Sequence, residues 1–256
     1  MSDDDAGGDP AARDPADPPV ALAAYEALAD DYAAKAPTKP YNADLERPAT
    51  RSLLPPVEGL DTLDAGCGPG ITTEELHEAG ARRVVGADVS PRMLEHARDR
   101  VGDRADLVRL DMGRPLPVAD DSFDLVHSSL AVTYVREWDA LFSEFARVLR
   151  PGGVLVFSTQ HPFDDATRLE PADYFAVEEV TETWDGFGDP VDVTFFRRPL
   201  EVTLNALLGA GFRLEAVEEA KPTERFRERR PDAYDRVRRR PPFLCLRASL
   251  PGVPDQ

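Results

Sequence analysis

Cysteine, lysine and isoleucine are scarce in this 256-residue chain, and each scarcity removes a class of explanation. Two cysteines, Cys67 and Cys245, stand far apart in unrelated contexts, which excludes both a disulfide framework and a paired CxxC metal site. No metal is expected. Three lysines (Lys35, Lys39, Lys221) and one isoleucine (Ile71) accompany 48 Asp and Glu against 30 Lys and Arg, a formal charge of -18. Nucleic-acid affinity comes largely from cations that displace counterions, so this balance argues against duplex DNA as a partner. The composition is that of a surface adapted to molar salt; the alternative is an acidic surface with a coding bias toward arginine. A run of roughly 18 apolar residues, the minimum for a membrane helix, is also missing, and the N-terminus is acidic where a secretory signal would be basic. A soluble cytoplasmic protein with no membrane partner, monomeric or homodimeric, is expected.

What is present is enough apolar residue, 42%, for one substantial core. Residues 1–19 hold six aspartates with proline and glycine and read as a disordered acidic tail. The rest, 20–256, reads as a single domain. Apolar residues recur at helical spacing through Leu22, Tyr25, Leu28, Ala29 and Tyr32 until Pro37 and Pro40 interrupt them, giving a helical lip over 20–45.

From Asp61 short apolar runs alternate with helical segments, the pattern of strands joined by crossover helices. Strands are predicted at 62–65, 84–87, 107–110, 123–127 and 153–158, with helices at 72–79, 91–101 and 138–149 between them. Ser90-Pro91 is a helix start and Pro151-Gly152-Gly153 a stop. A helix at 200–208 and strands at 212–217 and 243–249 complete the pattern.

Leu63-Asp64-Ala65-Gly66-Cys67-Gly68-Pro69-Gly70 follows the first strand and opens a helix, so its glycines fall where the chain turns tightly and leaves bare backbone for a ligand. The Gly66, Gly68, Gly70 spacing departs from the dinucleotide form, whose third glycine comes three positions after the second. Asp88 ends the next strand about 20 residues on, where an acid can accept the hydroxyls of a ribose. Asp111-Met112 ends the third strand and suits an adenine, and Ser128 and Ser129 close the fourth beside the same crevice. Strand carboxyl ends are where open α/β sheets bind ligands.

Those motifs, with Gly86-Ala87-Asp88-Val89-Ser90-Pro91-Arg92-Met93-Leu94, Leu116-Pro117 ahead of Asp120-Asp121-Ser122-Phe123-Asp124, and Arg147-Val148-Leu149-Arg150-Pro151-Gly152-Gly153, resemble the class I S-adenosylmethionine-dependent methyltransferases. The type 11 group, similar to the ubiquinone and menaquinone biosynthesis methyltransferases, is the nearest match. The resemblance spans about residues 60–160. It implies an α/β fold: a Rossmann-like seven-stranded sheet, mostly parallel with the last strand antiparallel, and helices on both faces. It implies S-adenosylmethionine as cofactor and S-adenosylhomocysteine as product. Asp64, Gly66, Gly68 and Gly70 would hold the methionine end, Asp88 the ribose, and Asp111 with Met112 the adenine. Cys67, Val89, Met93 and Ser128, within or beside these motifs, and Tyr32 of the helical lip are further cofactor-binding candidates. Ser128-Ser129-Leu130-Ala131 lacks the Asn/Asp-Pro-Pro-aromatic signature of enzymes that methylate exocyclic amines of DNA bases.

Methyl transfer is an in-line displacement in which alignment and water exclusion supply much of the acceleration, so a base is optional. His161, just past the fifth strand, is the candidate catalytic base; the alternative is that it shapes a turn. The connection at 162–198 is far longer than the usual 2 to 6 residues and reads as a substrate cap, with strands at 177–184 and 191–196. Candidate acceptor-pocket residues are Tyr25, Tyr134, His161, Phe163, Trp184 and Phe187, though such aromatics can equally form the cap's own core. Eight arginines lie between Arg225 and Arg240, interleaved with acids, the pattern of a solvated helix laced with salt bridges. The leading expectation is methyl transfer to O, N or C of a small, partly apolar acceptor. The alternatives are a non-catalytic sensor or scaffold that binds the same cofactor, and an RNA methyltransferase using the arginines at 225–240.

Overall fold

The computed structural model describes residues 17–252; the acidic tail expected at 1–19 falls almost wholly outside them. The chain runs α1 (Leu22–Lys35), a π-helical turn (Asn42–Glu46), α2 (Arg47–Ser52), β1 (Asp61–Ala65), α3 (Ile71–Glu78), β2 (Arg83–Asp88), α4 (Pro91–Val101) and β3 (Asp106–Arg109). It continues through β4 (Phe123–Ser128), α5 (Trp138–Val148), β5 (Leu149–Gln160), α6 (Pro162–Leu169), β6 (Glu178–Trp184) and β7 (Val191–Arg197). The last part is α7 (Leu200–Gly209), β8 (Arg213–Glu219), α8 (Glu224–Arg229), α9 (Pro231–Val237) and β9 (Phe243–Ser249).

Seven strands form one sheet in the order β3-β2-β1-β4-β5-β9-β8. The pairs from β3 to β5 are parallel, and β9 slots antiparallel between β5 and β8. The order reverses between β1 and β4, which opens a crevice at their carboxyl ends. Apolar clusters cover both faces: Trp138, Phe142 and Phe145 of α5 meet Phe157 on one, while Leu45, Leu76 and Phe226 meet Leu125 and Val156 on the other.

Three local features differ from the sequence reading. Pro40 does not end the helical region; it begins a second segment, because a proline in a first turn loses only an N–H that would be unpaired anyway. β5 begins at Leu149, ahead of the Pro-Gly-Gly stop, and absorbs those residues as an irregularity in its pairing with β4 around Gly152 at φ +79°. The arginine-rich stretch forms two short helices broken at Arg230, where Pro231 starts the second.

The two lips of the crevice are held by specific contacts. Glu26 of α1 accepts from the Ser90 hydroxyl and from the backbone N–H of Arg92, whose side chain returns a bond of 2.8 Å to the Glu26 carbonyl. Asp30 adds an ion pair to Arg92 and a hydrogen-bond contact of 2.9 Å with His96 Nε2. α1 is thereby latched to the first turns of α4. The β6–β7 hairpin leans on α1 through a small core of Ala24, Leu28, Ala36, Phe187 and Val193. Fully buried Arg197 ties the hairpin to the loop before it, donating to Glu178 and to the carbonyls of Asp173, Tyr174 and Ala176.

Candidate active site

Three glycines shape the β1–α3 loop, each at positive φ, and each does something different. A Cβ on Gly66 would lie 2.2 Å from that of Ala131, so the backbones meet too closely for any side chain. A Cβ on Gly70 would press on Ala97 at 3.1 Å, where α3 packs on α4. A Cβ on Gly68 would meet nothing within 4 Å; it would project into open cleft. Side chains at φ near +50° to +80° are disfavoured on their own account.

Asp88 faces this loop from the end of β2. Its Oδ2 accepts from the Gly68 N–H at 2.8 Å and its Oδ1 from the Ser90 N–H at 2.9 Å. Burial nevertheless pushes the carboxyl up to about 6, because two backbone dipoles do not replace the water it has lost. Each oxygen keeps a lone pair for a further donor. Gly66, Gly68, Asp88, Val89, Asp111 and Met112 line one cleft, together with Ser129 to Ala131 after β4 and the tyrosines Tyr25, Tyr32 and Tyr134.

Other candidates from the sequence lie behind this wall. The Asp64 carboxylate is buried, with one oxygen taken by the Thr73 hydroxyl at 2.7 Å and the other 2.9 Å from His127 Nδ1. Ser128 is buried and donates to the Ala65 carbonyl. Cys67 is buried, with its thiol pushed well up by desolvation. Met93 packs inside α4, where its N–H is capped by Ser90. These four support the loop and the strand ends from beneath.

A second cavity opens beside the first and shares Tyr25, Tyr32, Leu130 and Tyr134 with it. Trp184, Asp185, Gly186 and Phe187 of the hairpin line it together with Lys39, Tyr41, Asn42 and Arg230. The Tyr25 and Tyr134 hydroxyls are 2.7 Å apart, and the Tyr32 ring lies 4.6 Å from that of Phe187. Burial keeps all three phenols protonated, lifting Tyr32 to about 12 and the other two further.

His161 lies elsewhere. It caps α6, its Nδ1 accepting from the Phe163 N–H, and its Nε2 sits 3.0 Å from Glu219 Oε1. His161 and Phe163 line a separate crevice with Leu200, Leu204 and Glu219, and Phe163 is 54% exposed there, so neither reaches either cavity above. The structure does not bring them to the tyrosines.

Sequence reasoning missed Lys39, Gln160 and Arg230 as pocket residues, and also Glu46. One Glu46 oxygen takes the hydroxyls of Thr50, Ser129 and Ser158, joining the π-helical turn to the ends of β4 and β5. No motif marks any of these positions. The arginine cluster, by contrast, is largely paired: Arg225 and Arg229 reach buried Asp44, and Arg230 reaches Asp232.

A family model described as a methyltransferase domain matches residues 63–157. A crystal structure of an S-adenosylmethionine-dependent methyltransferase from Mesorhizobium loti is 36% identical, with 80% of this chain covering 97% of that one at a TM-score of 0.66. The chain belongs to the class I S-adenosylmethionine-dependent methyltransferases. A protein of Haemophilus influenzae is 28% identical over 226 residues, covering 81% of this chain and 87% of its own. A malonyl-[acyl-carrier protein] O-methyltransferase of Pectobacterium atrosepticum is 38% identical over 120 residues, which cover 46% of each chain.

This methyltransferase therefore uses S-adenosylmethionine, and its own residues fit that group. The bare backbone at Gly68 faces open cleft, and Asp88, half withdrawn from water, still has lone pairs for hydroxyl donors. Among the described residues no helix is long and apolar enough to cross a membrane.

Proposed function

We propose that the methyl group passes to a small, partly apolar acceptor seated in the cavity between α1, the π-helical turn and the β6–β7 hairpin. The observation that carries this reading is the shared wall: Tyr25, Tyr32, Leu130 and Tyr134 border both cavities, so two ligands would meet there. When bound, S-adenosylmethionine supplies a methyl group from its sulfonium and departs as neutral S-adenosylhomocysteine.

The chain's residues have positioning tasks. Gly66 and Gly68 offer main chain to the methionine end, Asp88 accepts from the ribose, and Asp111 with Met112 borders the adenine. Val89 extends the same wall. Tyr32 closes the cofactor cleft on the side that Trp184 and Phe187 close for the acceptor. The three protonated phenols present O–H donors and oxygen lone pairs at the junction while excluding water, which aligns the displacement and removes competing hydration. Since neither cavity is lined by His161, a base at that position has no part in this reading.

The aromatic cap disfavours a silent sensor, because a domain that only reports cofactor level needs no second cavity beside the first. Ion pairing within the arginine cluster disfavours RNA as the substrate. The O-methyltransferase relative attaches its methyl to a malonyl-[acyl-carrier protein], but less than half of its length is covered, and its acceptor is not carried over. The test is incubation of cell extract with deuterium-labelled cofactor followed by mass spectrometry. A shifted small metabolite is expected, and label confined to RNA or protein would end the reading.

A further inference from the structure

The acceptor cavity brings two cationic side chains together in a protein whose formal charge is -18. Its lining carries Lys39 and Arg230 against a single carboxylate, Asp185. Lys39 Nζ lies 3.3 Å from the centroid of the Phe187 ring and has no hydrogen-bond acceptor among the described residues. Gly186 makes room for it: a Cβ there would come within 2.6 Å of the ammonium. Arg230 gives Nε and Nη2 to Asp232 and keeps Nη1. Buried Gln160 Oε1, on the same cavity, has no donor.

A half-buried ammonium held over an aromatic face, without a hydrogen-bond acceptor among the described residues, can take an anion. Building on the acceptor reading above, we propose that the acceptor is a monoanionic organic acid. Its carboxylate is held by Lys39 and Arg230, its apolar body lies against Trp184 and Phe187, and its reacting atom faces the tyrosines. Asp232 already pairs Arg230 and Asp185 shares the cavity, so one carboxylate, with an oxygen each for Lys39 Nζ and Arg230 Nη1, adds less repulsion than a doubly charged phosphate.

Burial draws the Lys39 amine down to about 8, with Lys35 and Arg230 pulling the same way and Asp185 opposing. A bound carboxylate would restore the ammonium and raise that value. The chain has three lysines, so reductive methylation with labelled formaldehyde gives three lysine signals to follow by carbon NMR. In the presence of S-adenosylhomocysteine, 3-phenylpropanoate should shift the Lys39 signal saturably and raise its titration midpoint, while the matched 3-phenylpropanamide and the Lys35 and Lys221 signals serve as controls.

For the labelled acceptor found in extract, Lys39→Met should raise KM by about tenfold or more, with a smaller change in kcat and no change in cofactor affinity by calorimetry. Equal response to acid and amide, response of all three lysines alike, or no response would overturn the proposal. A neutral labelled product would also overturn it while leaving small-acceptor methylation standing. Label found only in macromolecules would sink the acceptor reading itself.

Discussion

The hydroxyl oxygens of Tyr25 and Tyr134 lie 2.7 Å apart across 109 residues of sequence, joining α1 to the turn after β4 at the boundary of the two cavities. One hydrogen bond therefore couples the lip to the sheet where the ligands would meet. Tyr25→Phe and Tyr134→Phe should each cost about 1 kcal/mol of stability, and the double variant less than the sum. A double-mutant cycle in urea checks the coupling, and additive losses would show that the bond contributes nothing.

Gly68→Ala tests the cradle. The fold should survive, since the added methyl meets nothing within 4 Å, with a backbone cost of about 1 to 2 kcal/mol at φ +52°. Cofactor affinity should drop by about tenfold or more, as the methyl enters the cleft. Calorimetric titration with S-adenosylhomocysteine reads this directly; unchanged affinity would mean that the cofactor lies elsewhere.

Asp88 gives a pH dependence whose sign is fixed. Burial raises its folded value to about 6, above the ~3.9 of an unfolded aspartate, so its contribution to apo stability is present at low pH and is lost as pH rises from about 4 through about 6. Ribose hydroxyls donate to the ionised form and lower that value, so cofactor affinity should weaken as pH falls below about 6 and level off above it. Asp88→Asn should bind weakly and show no such slope. Titrations between pH 5 and pH 8, a range set around the ~6 midpoint, would check it.

His161→Ala should act on stability and not on turnover. The ring caps α6 and faces Glu219 in a crevice apart from the tyrosines, so its loss should cost about 0.5 to 2 kcal/mol while kcat stays within about twofold. A loss of kcat of about 100-fold, with an altered pH profile, would restore it as a base.

Most of the central sheet was legible because its signals are local. Ser90-Pro91 starts α4 where the sequence places it, since a capping hydroxyl and a fixed proline φ act within one turn. The glycine loop, Asp88 and Asp111 were found by their order along the chain, as each closes a strand of a parallel sheet. The strands expected at 177–184 and 191–196 are β6 and β7 of the hairpin. Pro40 misled, because the same residue breaks a helix interior and suits a first turn, and a single sequence does not say which applies.

The sequence by itself determined the α/β order, the glycine loop and the acids at the strand ends, because backbone propensity and strand-end position are properties of neighbouring residues. Only the tertiary structure decided which side chains face one another across the crevice. It put Lys39 and Arg230 on one wall although 190 residues separate them, and it turned Asp64 inward to Thr73 and His127. It also turned His161 toward Glu219. Those outcomes depend on how α1, the hairpin and the arginine-bearing helices pack on the sheet, and packing is set by surfaces that meet only after the chain has folded.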